Sequence, residues 1–309
     1  MTRLPTSSTI PIASLLSSPP SPLSFIYSSH SRWPYPPNST SSFPIPTISV
    51  LDSSFNPPHA AHKALAETAA VESSSKSSEP PPAPAAQLLT FTISNADKQL
   101  DKKDLYTRLE MIRAMAIDMN RQSQNVVEDK GGERGQVWNN VAVAVLDAAT
   151  FVKKAEILTQ EIPKLLQGEG EGDVIKPNLV FPVGWDTLIR IFATRYYPPP
   201  GPGLSSSMET LFSKNQSRLV CARRGGTTAQ QHRDQDEERE FLSRPEVYEW
   251  VEMGKLKIVD LGTDNEKVKG ISSTEIRNAV KEDDWDKVEE MVPFPSVIEV
   301  IQKERLYRE

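Results

Sequence analysis

An apolar, β-branched run from Ile45 to Leu51, a polar turn, and then Pro57-Pro58 predict a buried strand feeding the first turn of a helix. Short apolar runs and longer amphipathic stretches then alternate down the chain. Leu88–Ile93, Val141–Leu146, Leu179–Val183, Leu219–Ala222 and Leu256–Leu261 read as five further strands, and the unbroken run Val141–Leu146 suits a sheet covered on both faces. Leu105, Leu109, Ile112, Met115, Ala116 and Met119 fall on one face of a helix, and helices are expected from about Thr150 to Leu166 and from Phe241 to Met253. This order predicts an α/β fold, doubly wound about a mostly parallel sheet, with ligands at the carboxyl ends of the strands near a topological switch.

Polar stretches interrupt the pattern. Residues 1–40 hold eleven Ser and eight Pro, too little apolar surface to offset chain ordering, so residues 1–42 are expected to form a disordered tail. Within it, Phe25–Tyr27 and Trp33 form an apolar patch able to dock on the domain. Residues 43–309 are expected to be one domain with insertions near 72–87, 122–136, 198–207 and 225–240, which offer surfaces for protein partners. The tail lacks Asp and Glu but carries only Arg3 and Arg32, few for a transit peptide, so a cytoplasmic or nuclear location is expected over mitochondrial import.

Composition narrows the class. A net charge of −6 and a pI near 5.5 argue against a nucleic-acid partner, which would require a basic face. No run of eighteen apolar residues occurs, so no membrane span is expected. The single cysteine, Cys221, excludes an intramolecular disulfide framework.

Three stretches carry chemistry. His59 and His62 are three apart, about 4.5 Å along a helix axis, and so share a face. They sit at a strand-to-helix junction, where backbone N–H groups favour a phosphate. In Ile271-Ser272-Ser273-Thr274-Glu275-Ile276-Arg277, Ser272 and Glu275 form a capping box, but a cation at Arg277 opposes the helix dipole and points to an anionic partner. Asp186 in Gly184-Trp185-Asp186 reads either as a helix N-cap or as an acceptor of ligand hydrogen bonds.

Ser53-Ser54-Phe55-Asn56-Pro57-Pro58-His59-Ala60-Ala61-His62 resembles the Gly-Ser-Phe-Asn-Pro-x-His-x-Gly-His signature of nucleotidyltransferases that move AMP from ATP, in particular the nicotinamide mononucleotide adenylyltransferases. Ser53 and Ala61 stand where that pattern has glycine, which implies a divergent branch. Gly184-Trp185-Asp186-Thr187-Leu188 resembles the family's Gly-x-Asp-x-Leu element, and Ile271–Arg277 meets every fixed position of its Ile-Ser-Ser-Thr-x-Ile-Arg motif. The resemblance spans about residues 45–309 and implies a Rossmann-like nucleotidyltransferase fold. It also implies ATP binding by Ser53, Ser54, Phe55, His59, His62, Ile271, Ser272, Ser273, Thr274 and Arg277. Catalysis would fall to His59, His62 and Arg277, and acceptor binding to Asn56, Gly184, Trp185 and Asp186, with Trp185 stacking on the base. The implied substrates are ATP, with its Mg2+, and nicotinamide mononucleotide; no protein metal ligands are implied. Two alternatives stay open: an ATP-binding or ATP-hydrolysing regulatory protein with a weakened transferase site, and an adenylyltransferase for another phosphate acceptor.

Overall fold

The computed structural model describes residues 12–15, 21–37, 45–73, 83–93, 102–127, 139–167, 176–223, 228–260, 268 and 270–308. Seven strands form one sheet: β1 (Leu23–Ser28), β2 (Ile48–Asp52), β3 (Ala86–Thr92), β4 (Val141–Leu146), β5 (Leu179–Gly184), β6 (Ser217–Ala222) and β7 (Leu256–Val259). Their order is β1-β4-β3-β2-β5-β6-β7, parallel throughout except for β1, which runs antiparallel to β4. The expected doubly wound α/β architecture is therefore present.

Helices cover both faces. Along β4, Ala142, Ala144 and Leu146 join one apolar cluster, and Val141, Val143 and Val145 join the other. The first cluster is closed by α4 (Phe151–Gln167), α5 (Trp185–Ile191) and α8 (Pro245–Glu252), the second by α3 (Lys102–Val127), α9 (Ser273–Lys281), α10 (Trp285–Met291) and α11 (Pro295–Lys303). Burial on both sides is why the strands read as continuous apolar runs.

The chain winds outward from β2 in one direction through β3 and β4, then crosses back to place β5 on β2's other side. That reversal is the topological switch, the place where a doubly wound sheet takes its ligands, at the carboxyl ends of β2 and β5. From the pair Ile48↔Leu179, five residues onward, Ser53 leaves one strand and Gly184 ends the other.

Three boundaries differ from expectation. The tail assignment is corrected for residues 21–37: Leu23–Ser28 is an edge strand on β4, Ile26 and Trp33 are fully buried, and Trp33 Nε1 donates to the Gln87 carbonyl at 3.3 Å. The apolar patch of Phe25–Tyr27 and Trp33 docks on the domain as expected, but averaged Ser/Pro composition gave no strand there; burying a residue such as Ile26 contributes about 1.5–3 kcal/mol. Second, the expected insertions are partly helical. The structure continues α3 to Val127 and forms α6 over Gly203–Glu209 and α7 over Thr228–Leu242, whereas residues 74–82, 128–138 and 224–227 lie outside the described residues. Third, α2 (Ala60–Ser73) starts after His59, so Pro57 and Pro58 belong to the preceding turn, where the Asn56–Pro57 bond is cis. Among the described residues, no helix is long and apolar enough to cross a membrane.

Candidate functional site

The loop from Ser53 to His59 occupies the end of β2. Phe55 takes a left-handed conformation, φ 46°, and buries its ring completely, which turns the chain back over the strand end. The two histidines then meet as their spacing implied. His62 donates its backbone N–H to the His59 carbonyl at 2.9 Å, and the two rings lie 3.9 Å apart between centroids. Phe55 backs His62 at 4.9 Å.

The hydrogen bonds assign the His62 tautomer. Its Nδ1 accepts the His59 backbone N–H at 3.2 Å, so in the neutral ring the proton sits on Nε2. Nε2 lies 3.0 Å from the Ser53 hydroxyl. Both rings are buried, and burial lowers the His59 pKa to about 4 and the His62 pKa well below its ordinary value, the neighbouring His59 adding to the latter. Both imidazoles are thus neutral at pH 7, each with one N–H.

Between His59's folded pKa of about 4 and its ordinary value of 6.5, the unfolded chain holds a proton that the folded chain excludes. Stability is therefore complete above 6.5 and falls as pH drops toward 4, with a slope approaching 1.4 kcal/mol per pH unit from this one group. His62 acts in the same direction. Urea unfolding across pH 4–7.5 should show the decline, and His59→Asn should flatten it; an equal slope in that variant would contradict the assignment.

The distal motif lies against this loop. Ser272 caps α9, its hydroxyl accepting the Glu275 backbone N–H at 3.2 Å, as the capping box predicts. Ser273 donates its hydroxyl to the Pro57 carbonyl at 3.2 Å. Arg277 donates from Nη1 to the Asn56 carbonyl at 2.8 Å and from Nη2 to the Thr274 hydroxyl at 2.9 Å. Segments more than two hundred residues apart are thereby stitched into one wall, with the α9 N-terminus beside the histidine loop. Ser54, Ser272 and Thr274 are exposed, Ser53 and Ile271 half-buried. The wall can hold an anion through hydroxyls, the Arg277 guanidinium and the helix N-terminus.

Across the switch, an added Cβ at Gly184 would meet nothing within 4 Å, so open space lies over that residue. Asp186 is exposed in the first turn of α5; Gly184 occupies the N-cap position, so the capping alternative for Asp186 is not realised. Trp185 corrects an expectation. The residue is only 6% exposed and its ring packs edge-on against Phe241 at 5.4 Å within the core, so it anchors α5 and is no stacking platform for a base.

Sequence reasoning missed two supports of the site. Asp52, immediately before Ser53, accepts hydrogen bonds from Thr90 and Thr92 hydroxyls at 3.1 and 2.9 Å and pairs with Lys154 Nζ at 2.5 Å. The Lys154 side chain is 5% exposed and its ammonium lies 4.7 Å over Phe151. A lysine on the apolar stripe of α4, beside Ala155 and three residues after Phe151, was the legible signal. The other support is Tyr307, whose hydroxyl donates to Asn56 Oδ1 at 2.7 Å; burial pushes its pKa up and keeps it a donor. No periodicity marks that contact.

No family model matches the chain. A Schizosaccharomyces pombe protein provisionally named a nicotinamide mononucleotide adenylyltransferase is 27% identical over 267 residues, covering 84% of this chain and 86% of its own length. Among solved structures, the chain is similar to Plasmodium falciparum nicotinic acid mononucleotide adenylyltransferase complexed with APC, at 13% identity and TM-score 0.44, covering 85% of this chain and 97% of that one. It is also similar to a Vibrio parahaemolyticus protein provisionally named a nicotinate-nucleotide adenylyltransferase, at 16% identity and TM-score 0.34, covering 86% and 97%. The resemblance to the nicotinamide mononucleotide adenylyltransferases thus extends beyond the motifs to sequence along most of the chain.

Proposed function

We propose that this chain, a relative of the nicotinamide mononucleotide adenylyltransferases, transfers AMP from ATP to nicotinamide mononucleotide, giving NAD and pyrophosphate. One observation carries the reading: the Arg277-to-Asn56 and Ser273-to-Pro57 bonds bring the serine-arginine motif onto the histidine loop at the switch point. In the proposed reaction an oxygen of the acceptor's phosphate attacks the α-phosphorus of ATP in line, the bond to the bridging oxygen breaks, and its electron pair leaves with pyrophosphate. That nucleophile is already ionised, so no general base is required. Catalysis consists of positioning and charge stabilisation.

His59 and His62 then act as neutral donors to phosphate oxygens as charge moves toward pyrophosphate, and Arg277 with the hydroxyls of Ser272, Ser273 and Thr274 holds the triphosphate. Asn56, its Oδ1 taken by Tyr307, meets the acceptor with its amide donors. Gly184 and Asp186 complete the acceptor side. The described residues contain no cluster of three His, Cys, Asp or Glu side chains suited to a metal, and the Mg2+ enters with the nucleotide substrate.

Purified protein supplied with MgATP and either nicotinamide or nicotinate mononucleotide tests this by chromatography of the dinucleotide and assay of pyrophosphate. Failure to form a dinucleotide from the nicotinamide acceptor would overturn the proposal, and a dinucleotide from the nicotinate acceptor alone would reassign the substrate. The burial of Trp185, which removes one expected acceptor contact, favours a second reading in which ATP is bound or hydrolysed without transfer. Release of inorganic phosphate with no dinucleotide would establish that reading instead.

Arg277→Ala should raise the KM for ATP about tenfold or more, because charged hydrogen bonds made equally in ground and transition states are lost. Arg277→Lys should recover only part, since a single ammonium cannot replace the fork joining Asn56 and Thr274. Steady-state kinetics would measure both; a change confined to kcat would move Arg277 out of ground-state binding.

A further inference from the structure

The position where the family signature has glycine is occupied here by a side chain that touches the proposed catalytic donor. Ser53 Oγ sits 3.0 Å from His62 Nε2. The other ring nitrogen is already engaged as an acceptor from the His59 backbone N–H. The proton therefore lies on Nε2, and in this contact the Ser53 hydroxyl accepts. Glycine has no atom to offer there.

We infer that Ser53 is a removable cap: its hydroxyl satisfies the His62 Nε2–H in the empty site, holds the ring in the donating tautomer, and must be displaced when a phosphate oxygen takes that proton's hydrogen bond. The inference rests on the proposed nucleotide site and adds a positioning residue that tunes its affinity. Three features make a cap rather than a fixed strut. Ser53 is half-buried, at the mouth of the loop, while His62 is buried behind it. Its hydroxyl is attached through a single rotatable bond and can swing away in a staggered step. His62 itself is held in place by the His59 N–H and by the Phe55 ring at 4.9 Å, so the histidine does not move with the serine.

A cap competes with the ligand. Exchanging one neutral hydrogen bond for another makes the competing bond worth about 1 kcal/mol, so its removal should tighten ATP binding about fivefold. Without the serine, the Nε2–H also faces solvent in the empty site and should exchange faster.

The test compares the full-length chain with Ser53→Gly and Ser53→Thr, the latter retaining a hydroxyl. Nitrogen-15 NMR of the imidazole, assigned to His62 by His62→Gln, reports the empty site independently of turnover. A slowly exchanging Nε2–H resonance is expected in the parent and in Ser53→Thr, and its loss to exchange in Ser53→Gly. Calorimetry with MgATP should give about fivefold tighter binding for Ser53→Gly and parent-like binding for Ser53→Thr. An unchanged imidazole resonance in Ser53→Gly would overturn the cap. Weaker ATP binding in Ser53→Gly would also overturn it, by showing the hydroxyl to be a direct phosphate ligand. If none of the three proteins binds ATP, the nucleotide-transfer reading and the displacement step both fall, whereas the NMR result still decides whether the hydroxyl caps the ring.

Discussion

His62→Ala should lower kcat by about 10²–10³ while leaving the KM for ATP nearly unchanged, the scale seen when one preorganised donor to a developing negative charge is removed. His62 presents a single N–H from Nε2, because Nδ1 is committed to the His59 backbone, and the ring is fixed between Phe55 and His59. Burial keeps it neutral, so it carries no charge to hold the triphosphate in the ground state. Its contribution grows as charge shifts across the bridging oxygen. His62→Gln, which keeps an amide donor on a side chain of similar reach, should recover part of the lost rate. Initial-rate measurements over a matrix of ATP and acceptor concentrations, with circular dichroism to confirm folding, separate the outcomes. A pure KM effect would reduce His62 to a binding residue.

Lys154→Met should destabilise the fold by about 3–5 kcal/mol, the cost of leaving one member of a buried ion pair without its partner. Lys154 and Asp52 side chains are 5% and 13% exposed, and the pair joins α4 to the end of β2. Without the ammonium, Asp52 keeps only the hydroxyls of Thr90 and Thr92. Because Asp52 directly precedes Ser53, the same change should loosen the histidine loop and reduce transferase activity alongside stability. Asp52→Asn combined with Lys154→Met removes both charges and should cost less than the two single changes added together, a coupling that a double-mutant cycle in urea would measure. A loss below about 1 kcal/mol for Lys154→Met would mean that the pair behaves as a solvated surface bridge.

These effects depend on information of two kinds. The alternation of apolar runs with amphipathic stretches determined the α/β architecture, because a strand buried on both faces must be apolar throughout and a covering helix apolar on one side. Local spacing also brought His59 and His62 together and set Ser272 as the cap of α9, since each relation spans only three residues. Even so, α2 starts one residue after His59, a shift within the reach of local backbone geometry.

What lay beyond the sequence was every relation made across the fold. The apolar patch at Phe25–Tyr27 was legible but its pairing as β1 was not, because its partner, β4, lies more than a hundred residues away and its own surroundings are rich in Ser and Pro. Trp185 looked like a platform for a base until Phe241, from a helix after β6, was seen to pack against it. The Asp52–Lys154 pair and the Tyr307–Asn56 bond join residues whose types are ordinary in isolation. Periodicity reports which face of an element is buried, and motifs report which chemistry is nearby. Only the packing of distant elements decides which buried charge meets which partner.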